Sequence, residues 1–170
     1  MEKLSTRLIS DSLRNKAGII FCASIIILLL NFTNLSLNPD FTAVVGSILL
    51  FLSLAFFGKS ITWKKGAEGE EAVVAQLRQL NNVTTYHDIH LPSYGWNIDH
   101  VILSDRGIYV AETKNYAGEI SQRDGQWINR IIGRFKIFEN KIGNPVLQAK
   151  HYAAKLNAFL KEQNANNLWV

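Results

Sequence analysis

Two stretches near the start of the chain carry no charge: residues 18–30, GIIFCASIIILLL, and residues 41–58, FTAVVGSILLFLSLAFFG. With its flanks, each is about as long as the shortest helix that spans a bilayer, roughly 17 residues. One such run could be a buried core helix. Two runs separated by a short polar loop read as a membrane hairpin, with spans over about 17–33 and 41–58. A polar tail, residues 1–16, precedes the hairpin of residues 17–58, and residues 59–65 read as a short linker behind it. Lys3, Arg7, Arg14 and Lys16 flank the first run, and Lys59, Lys64 and Lys65 follow the second. The intervening loop, TNLSLNPD, has no lysine or arginine. Basic flanks stay on the cytoplasmic side, so both ends are expected there, as for a protein of a bacterial-type inner membrane. A cleaved signal peptide ranks below this, because no A-x-A-like site follows the first run and a second run comes soon after.

From residue 66 the pattern becomes that of a folded α/β domain, expected over residues 66–170. GAEGEEAVVAQLRQL spaces Val73, Val74, Leu77 and Leu80 as a helix does, and Glu68, Glu70 and Glu71 would suit its N-terminus. VTTYHDIHL reads as a strand. NIDHVILS and GIYVAETK read as two more, joined at Ser104-Asp105-Arg106-Gly107 in a hairpin. GEIS, QWINRI and RFKIF predict further strands, with turns at Arg123-Asp124-Gly125 and around Gly133. NPVLQAKHYAAKLNAFLKEQ predicts a helix with Asn144 as cap and Pro145 in its first turn. Ala149, Tyr152, Ala153, Leu156 and Leu160 would form its inward stripe. The final NNLWV looks like a strand just beginning, as if the domain were truncated there.

The hairpin register decides the chemistry. Alternation puts Ile108, Val110, Glu112 and Lys114 on one face. If Ser104 pairs with Gly107, Asp99 lies directly opposite Glu112 on that face. A three-residue loop with Gly107 as a bulge would turn Asp99 the other way. Glu70 from the preceding helix is a further candidate. Carboxylates converging in this way repel one another unless a cation sits among them, and hard oxygen ligands suit Mg²⁺ or Mn²⁺. A lysine two residues along could hold or deprotonate a water, or stabilise developing charge.

NIDHVIL…GIYVAETK resembles the Asp…Glu-x-Lys core of the PD-(D/E)xK nuclease superfamily, with Ile98 where a proline is usual. GAEGEEAV, IDHVILSDRGIYVAETKNYAGEI, Trp127 and NPVLQAKHY, taken in order, resemble the nuclease-related domain (NERD) family across about residues 66–160. The resemblance implies a restriction-endonuclease-like α/β fold, a mixed central sheet flanked by helices. It implies that Glu70 is the helix-borne acid, that Asp99 and Glu112 are metal ligands with the Thr113 carbonyl as third, and that Lys114 is the catalytic lysine. QAKHY is similar to a Gln-x-x-x-Tyr motif of some branches, which would bring Gln148 to the site; Tyr152 fits the core better. The implied activity is hydrolysis of nucleic-acid phosphodiester bonds, DNA ahead of RNA, with Mg²⁺ or Mn²⁺. The alternative is a membrane-tethered module that binds nucleic acid or a partner without cleaving it.

Charge is unevenly spread. Residues 66–112 hold seven acidic residues and two basic ones, whereas residues 123–161 hold eight basic and two acidic. An acidic metal end beside a basic half suits a polyanion; basic residues near a membrane also suit anionic lipid headgroups. Tyr94, Trp96 and Trp127 could stack on unpaired bases or fill the core. His87, His90, His100 and His151 lack any recognised metal-ligand spacing and read as structural or surface groups. The one cysteine, Cys22, lies inside the first apolar run, so there is no disulfide framework and no Cys-based metal site.

Overall fold

The structure is a computed structural model and describes residues 4–31, 38–92, 95 and 97–164. Most of the loop between the apolar runs, Tyr94, Trp96 and the terminal NNLWV lie outside the described residues. The chain divides into two compact units, Met1–Ala67 and Glu68–Val170.

The first unit holds α1 (Ser5–Leu30) and most of α2 (Pro39–Leu77). Both are long and apolar enough to cross a membrane, and their apolar windows are almost wholly exposed, unlike the core helix of a globular protein. Eighteen uncharged residues rise about 27 Å, close to the hydrocarbon thickness of a bilayer. The two helices meet along small residues seven apart. Ser10, Ala17 and Ser24 on α1 are buried, and face Ser60, Ser53 and Gly46 on α2. Ser24 Oγ donates to the Gly46 carbonyl at 2.9 Å, and Ser53 Oγ donates to that of Ala17 at 2.9 Å. Ser10 and Ser60 exchange hydroxyl-to-carbonyl bonds at 3.1 and 3.0 Å. Small side chains let the backbones approach, and hydroxyls bridge them where no water competes. Cys22 points outward from this seam.

Residues 59–65, read from sequence as a linker, are helical and continuous with α2. Nothing in KSITWKK breaks a helix, and the Ser10–Ser60 exchange extends the seam past the apolar zone. The helix over residues 66–77 is therefore the end of α2 rather than a new element. Glu68, Glu70 and Glu71 do not sit at a helix N-terminus, so the helix-dipole explanation for them fails: the N–H groups there are already bonded within the helix.

The second unit contains β1 (Thr84–His90), β2 (Asn97–Ser104), β3 (Gly107–Ala111), β4 (Glu119–Arg123), β5 (Gln126–Ile132), β6 (Ile137–Ile142) and α3 (Pro145–Glu162). These form two three-stranded antiparallel sheets, β1-β2-β3 and β4-β5-β6, with helices beside them. The single mixed sheet that the family resemblance implied is thus, among the described residues, two small antiparallel ones. The β2–β3, β4–β5 and β5–β6 connections are tight turns, which only antiparallel neighbours permit. Asp124 and Gly125 turn β4 into β5 with φ of 49° and 75°, the left-handed pair that a two-residue hairpin requires. RFKIF is not wholly strand: residues 133–136 form the β5–β6 turn, closed by a Gly133 N–H bond to the Lys136 carbonyl at 2.9 Å. Asn144 caps α3 by accepting from the Val146 and Leu147 amides at 3.0 and 3.1 Å, with Pro145 in the first turn. The core comprises Leu91, Ile98, Val101, Ile108 and Leu156, with Tyr152, Phe159 and Leu160 packed against it.

A Cβ on Gly46 would lie 2.6 Å from Leu28 Cγ, whereas one on Gly58 would meet nothing. Gly46→Ile should therefore destabilise the full chain in detergent by about 1–3 kcal/mol. Gly58→Ala should leave it unchanged or stabilise it by about 0.5–1 kcal/mol. Thermal or denaturant unfolding of the two variants side by side measures this contrast.

Candidate active site

The β2–β3 hairpin takes the two-residue register, Ser104 opposite Gly107 and His100 opposite Ala111. This is the register that turns Asp99 toward Glu112. β3 pairing ends at Ala111, and the Asp99 side chain continues the connection: the Thr113 N–H donates to Asp99 Oδ2 at 2.8 Å. Residues 112–114 are thereby held beside β2 without a ladder.

Glu112 is the centre of the arrangement, with its side chain only 6% exposed. Its Oε1 accepts from Lys114 Nζ at 2.6 Å and from Gln148 Nε2 at 2.8 Å. Gln148 Nε2 also donates to the Tyr152 hydroxyl at 2.9 Å, so the Gln-x-x-x-Tyr pair on one face of α3 reaches this carboxylate. Glu112 Oε2 is buried with no hydrogen-bond donor, and the Asp99 carboxyl interacts directly with Glu112. Two acceptor-only groups in contact need a proton or a cation between them.

The ionisation behaviour follows. Burial pushes Asp99 above the ordinary carboxylate range, against the pull of the Thr113 N–H and the Lys114 charge, while the Asp88 charge adds to the push. Burial likewise raises Glu112, opposed by the Lys114 hydrogen bond and reinforced by the Asp99 charge. Burial alone would lower Lys114, but its hydrogen bond to Glu112 and the charges of Glu112 and Asp99 outweigh that and raise it. Lys114 is thus a cation here rather than a free base.

Glu70 is buried on α2 next to Gly69. A Cβ on Gly69 would lie 2.7 Å from the Asn115 Cβ, so α2 is pressed against the residue after Lys114. Among the described residues, however, no three His, Cys, Asp or Glu side chains gather closely enough to hold a metal. Asp99 and Glu112 make a two-carboxylate site, and the Thr113 carbonyl and water are left to complete any hard-cation shell. Hard oxygens with an unmatched buried carboxylate atom fit Mg²⁺ or Mn²⁺.

A family model described as a nuclease-related domain matches residues 65–170. The chain belongs to the nuclease-related domain (NERD) family. It is also 34% identical over 88 residues to an uncharacterized protein of Bacillus anthracis, a match covering 45% of this chain and 39% of that protein. The chain spans about 39% of that relative's length, and the relative's name carries no activity. No solved structure matches the chain. The two membrane-length helices add that this NERD protein is an integral membrane protein.

Two features of this NERD domain escaped sequence reasoning. Asp88 sits in β1 at left-handed φ of 54°, accepts from Asn97 Nδ2 and adds negative charge near Asp99. Its position follows from the β1–β2 register, which no local pattern revealed. On the other face of the sheet, His100 is fully buried and links His87 to Thr113. Its Nδ1 faces His87 Nδ1 at 2.9 Å, and its Nε2 faces the Thr113 hydroxyl at 2.8 Å. The facing Nδ1 atoms require one donor and one acceptor, so both rings cannot be doubly protonated. Burial, with the His87 charge adding, holds His100 down to about 4. The structural reading of His100 is therefore specific: it anchors the side chain of Thr113, whose backbone Asp99 anchors from the opposite side.

Ionised Glu112 is disfavoured in the fold relative to the unfolded chain, so its charge subtracts stability once pH rises above the ordinary value of 4.5. Glu112→Gln should raise the metal-free Tm at neutral pH, and the gain should vanish below that value. His100 has the opposite sign: a lowered base binds fewer protons folded than unfolded. Its contribution is complete above pH 6.5 and lost as pH falls toward 4. His100→Asn should flatten that part of the profile, read from unfolding curves across the pH range.

Proposed function

We propose that this NERD protein is a membrane-anchored nuclease of the PD-(D/E)xK type. It would hydrolyse nucleic-acid phosphodiester bonds, DNA ahead of RNA, on the cytoplasmic side. The observation that carries this reading is the buried, donor-free Glu112 Oε2 beside Asp99, with Lys114 and Gln148 both bound to the other Glu112 oxygen. Asp99, Glu112 and the Thr113 carbonyl would hold Mg²⁺ or Mn²⁺. When bound, such an ion lowers the pKa of water and offsets charge on a phosphoryl oxygen.

The remaining work belongs to the chain. The Thr113 N–H fixes one Asp99 oxygen, which aims the other away from the backbone. Gln148 fixes the Glu112 rotamer. Lys114, protonated and 2.6 Å from Glu112, can orient a water by donating to it and can stabilise charge building on the phosphate. Its hydrogen bond to Glu112 and the charges of Glu112 and Asp99 raise its pKa, so without metal it stands ready as a donor and a positive charge. Glu70, buried on the α2 turn that touches Asn115, would act from behind this segment. The basic residues of the second half would bring the polyanion to the acidic end. The lysines after the second span favour a cytoplasmic position for this domain.

The second reading, a tethered binding module, is favoured by one observation: among the described residues no three carboxylates gather, where a nuclease could use three. Incubating the full chain in detergent with DNA and RNA, in Mg²⁺, Mn²⁺ or chelator, separates the two. The nuclease reading expects metal-dependent cleavage. Glu112→Ala and Lys114→Ala should each lower it by about 10²-fold or more, and Gln148→Ala by roughly 10–100-fold through weakened metal affinity. Salt-sensitive binding that survives Glu112→Ala, without cleavage, would instead establish the binding module.

A further inference from the structure

The β5–β6 hairpin ends in IIGRFKIF, residues 131–138, whose apolar side chains the proposed chemistry does not use. Four of its five apolar side chains are exposed. Phe135 is 91% exposed, Ile132 66%, Ile137 51% and Phe138 44%. Ile132 and Ile137 are directly paired across the two strands, so they stand on one face at the base of the turn. The turn itself carries two cations. Arg134 lies over the Phe135 ring at 5.4 Å, and Lys136 lies over the Phe138 ring at 4.5 Å. Neither pairs with an acid among the described residues, and residues 131–138 contain no acid. The other turn of this sheet, at Asp124-Gly125, is polar by contrast.

We propose that this hairpin tip docks into the surface of an anionic bilayer, as a second contact beyond the spanning helices. Phe135, Ile132 and Ile137 would enter the boundary between headgroups and acyl chains, and Arg134 and Lys136 would meet the lipid phosphates. Three observations favour lipid over nucleic acid. Paired aliphatic side chains find a partner in acyl chains but have no stacking face for a base. The Phe135 ring, the turn's one surface for stacking on a base, already has Arg134 over it at 5.4 Å. The chain already carries two membrane-length helices, so contact with the bilayer is intramolecular and favoured by a high effective concentration. Arginine and lysine beside exposed apolar groups are the composition of an interfacial contact. The inference rests on membrane embedding and stands whether or not the domain cleaves nucleic acid.

The test uses the full chain with Cys22→Ser and Phe135→Cys, labelled at the new thiol with a polarity-sensitive fluorophore. It is reconstituted in nanodiscs of zwitterionic lipid alone or mixed with phosphatidylglycerol. A matched protein labelled through Asp124→Cys serves as control. The expected result is blue-shifted emission at position 135 in anionic nanodiscs, quenched by nitroxide-bearing acyl chains. High salt and the added pair Arg134→Glu and Lys136→Glu should reverse the shift, while the position 124 label stays water-like. Circular dichroism of each variant confirms the fold. A water-like label at position 135 in anionic nanodiscs would overturn the proposal. So would equal quenching at positions 124 and 135, or a shift that appears only when DNA or RNA is added.

Discussion

Glu112 Oε1 is the atom on which the site depends, because three parts of the chain converge there. The strand exit supplies Lys114, α3 supplies Gln148, and β2 holds the carboxyl in place by binding the next amide through Asp99. A buried carboxylate with one oxygen doubly satisfied and the other unsatisfied is costly in an apolar setting. The cost appears as raised carboxyl pKa values at both Asp99 and Glu112. Such an arrangement subtracts stability, and a shared proton or a cation beside the two carboxyls would offset it.

The same segment is held from three sides. Asp99 takes the Thr113 amide, His100 takes the Thr113 hydroxyl on the opposite face, and Gly69 allows α2 to close against Asn115. Residues 112–115 have no ladder partners, so these contacts do what strand pairing does elsewhere. The facing His87 and His100 rings cannot both be charged, and burial holds both below the ordinary histidine value.

The membrane unit follows a different logic. Its helices gain nothing from burying apolar surface against each other in lipid, so small residues and serine hydroxyls bind them. The seven-residue spacing of Ser10, Ala17 and Ser24 against Gly46, Ser53 and Ser60 is visible in the sequence once the two helices are read antiparallel. It was hidden by the stronger signal of apolar length. The missed continuity of residues 59–65 has the same origin: a drop in hydropathy marks where lipid ends, not where a helix ends.

The sequence by itself determined the elements and their local chemistry. Apolar length set the two spans, turn residues set the β2–β3 and β4–β5 hairpins, and Asn144-Pro145 set the start of α3. These signals are local, because capping, turn geometry and helix hydropathy act within a few residues. The register that turns Asp99 toward Glu112 was one of two the sequence left open, and the structure takes the two-residue turn that selects it. Only tertiary structure decided that Gln148 binds Glu112 from 36 residues away, that Asp88 lies near Asp99, and that the strands form two antiparallel sheets rather than one mixed sheet. Each of these depends on how elements pack across long stretches of chain, where side-chain volume and burial, not local preference, select the arrangement.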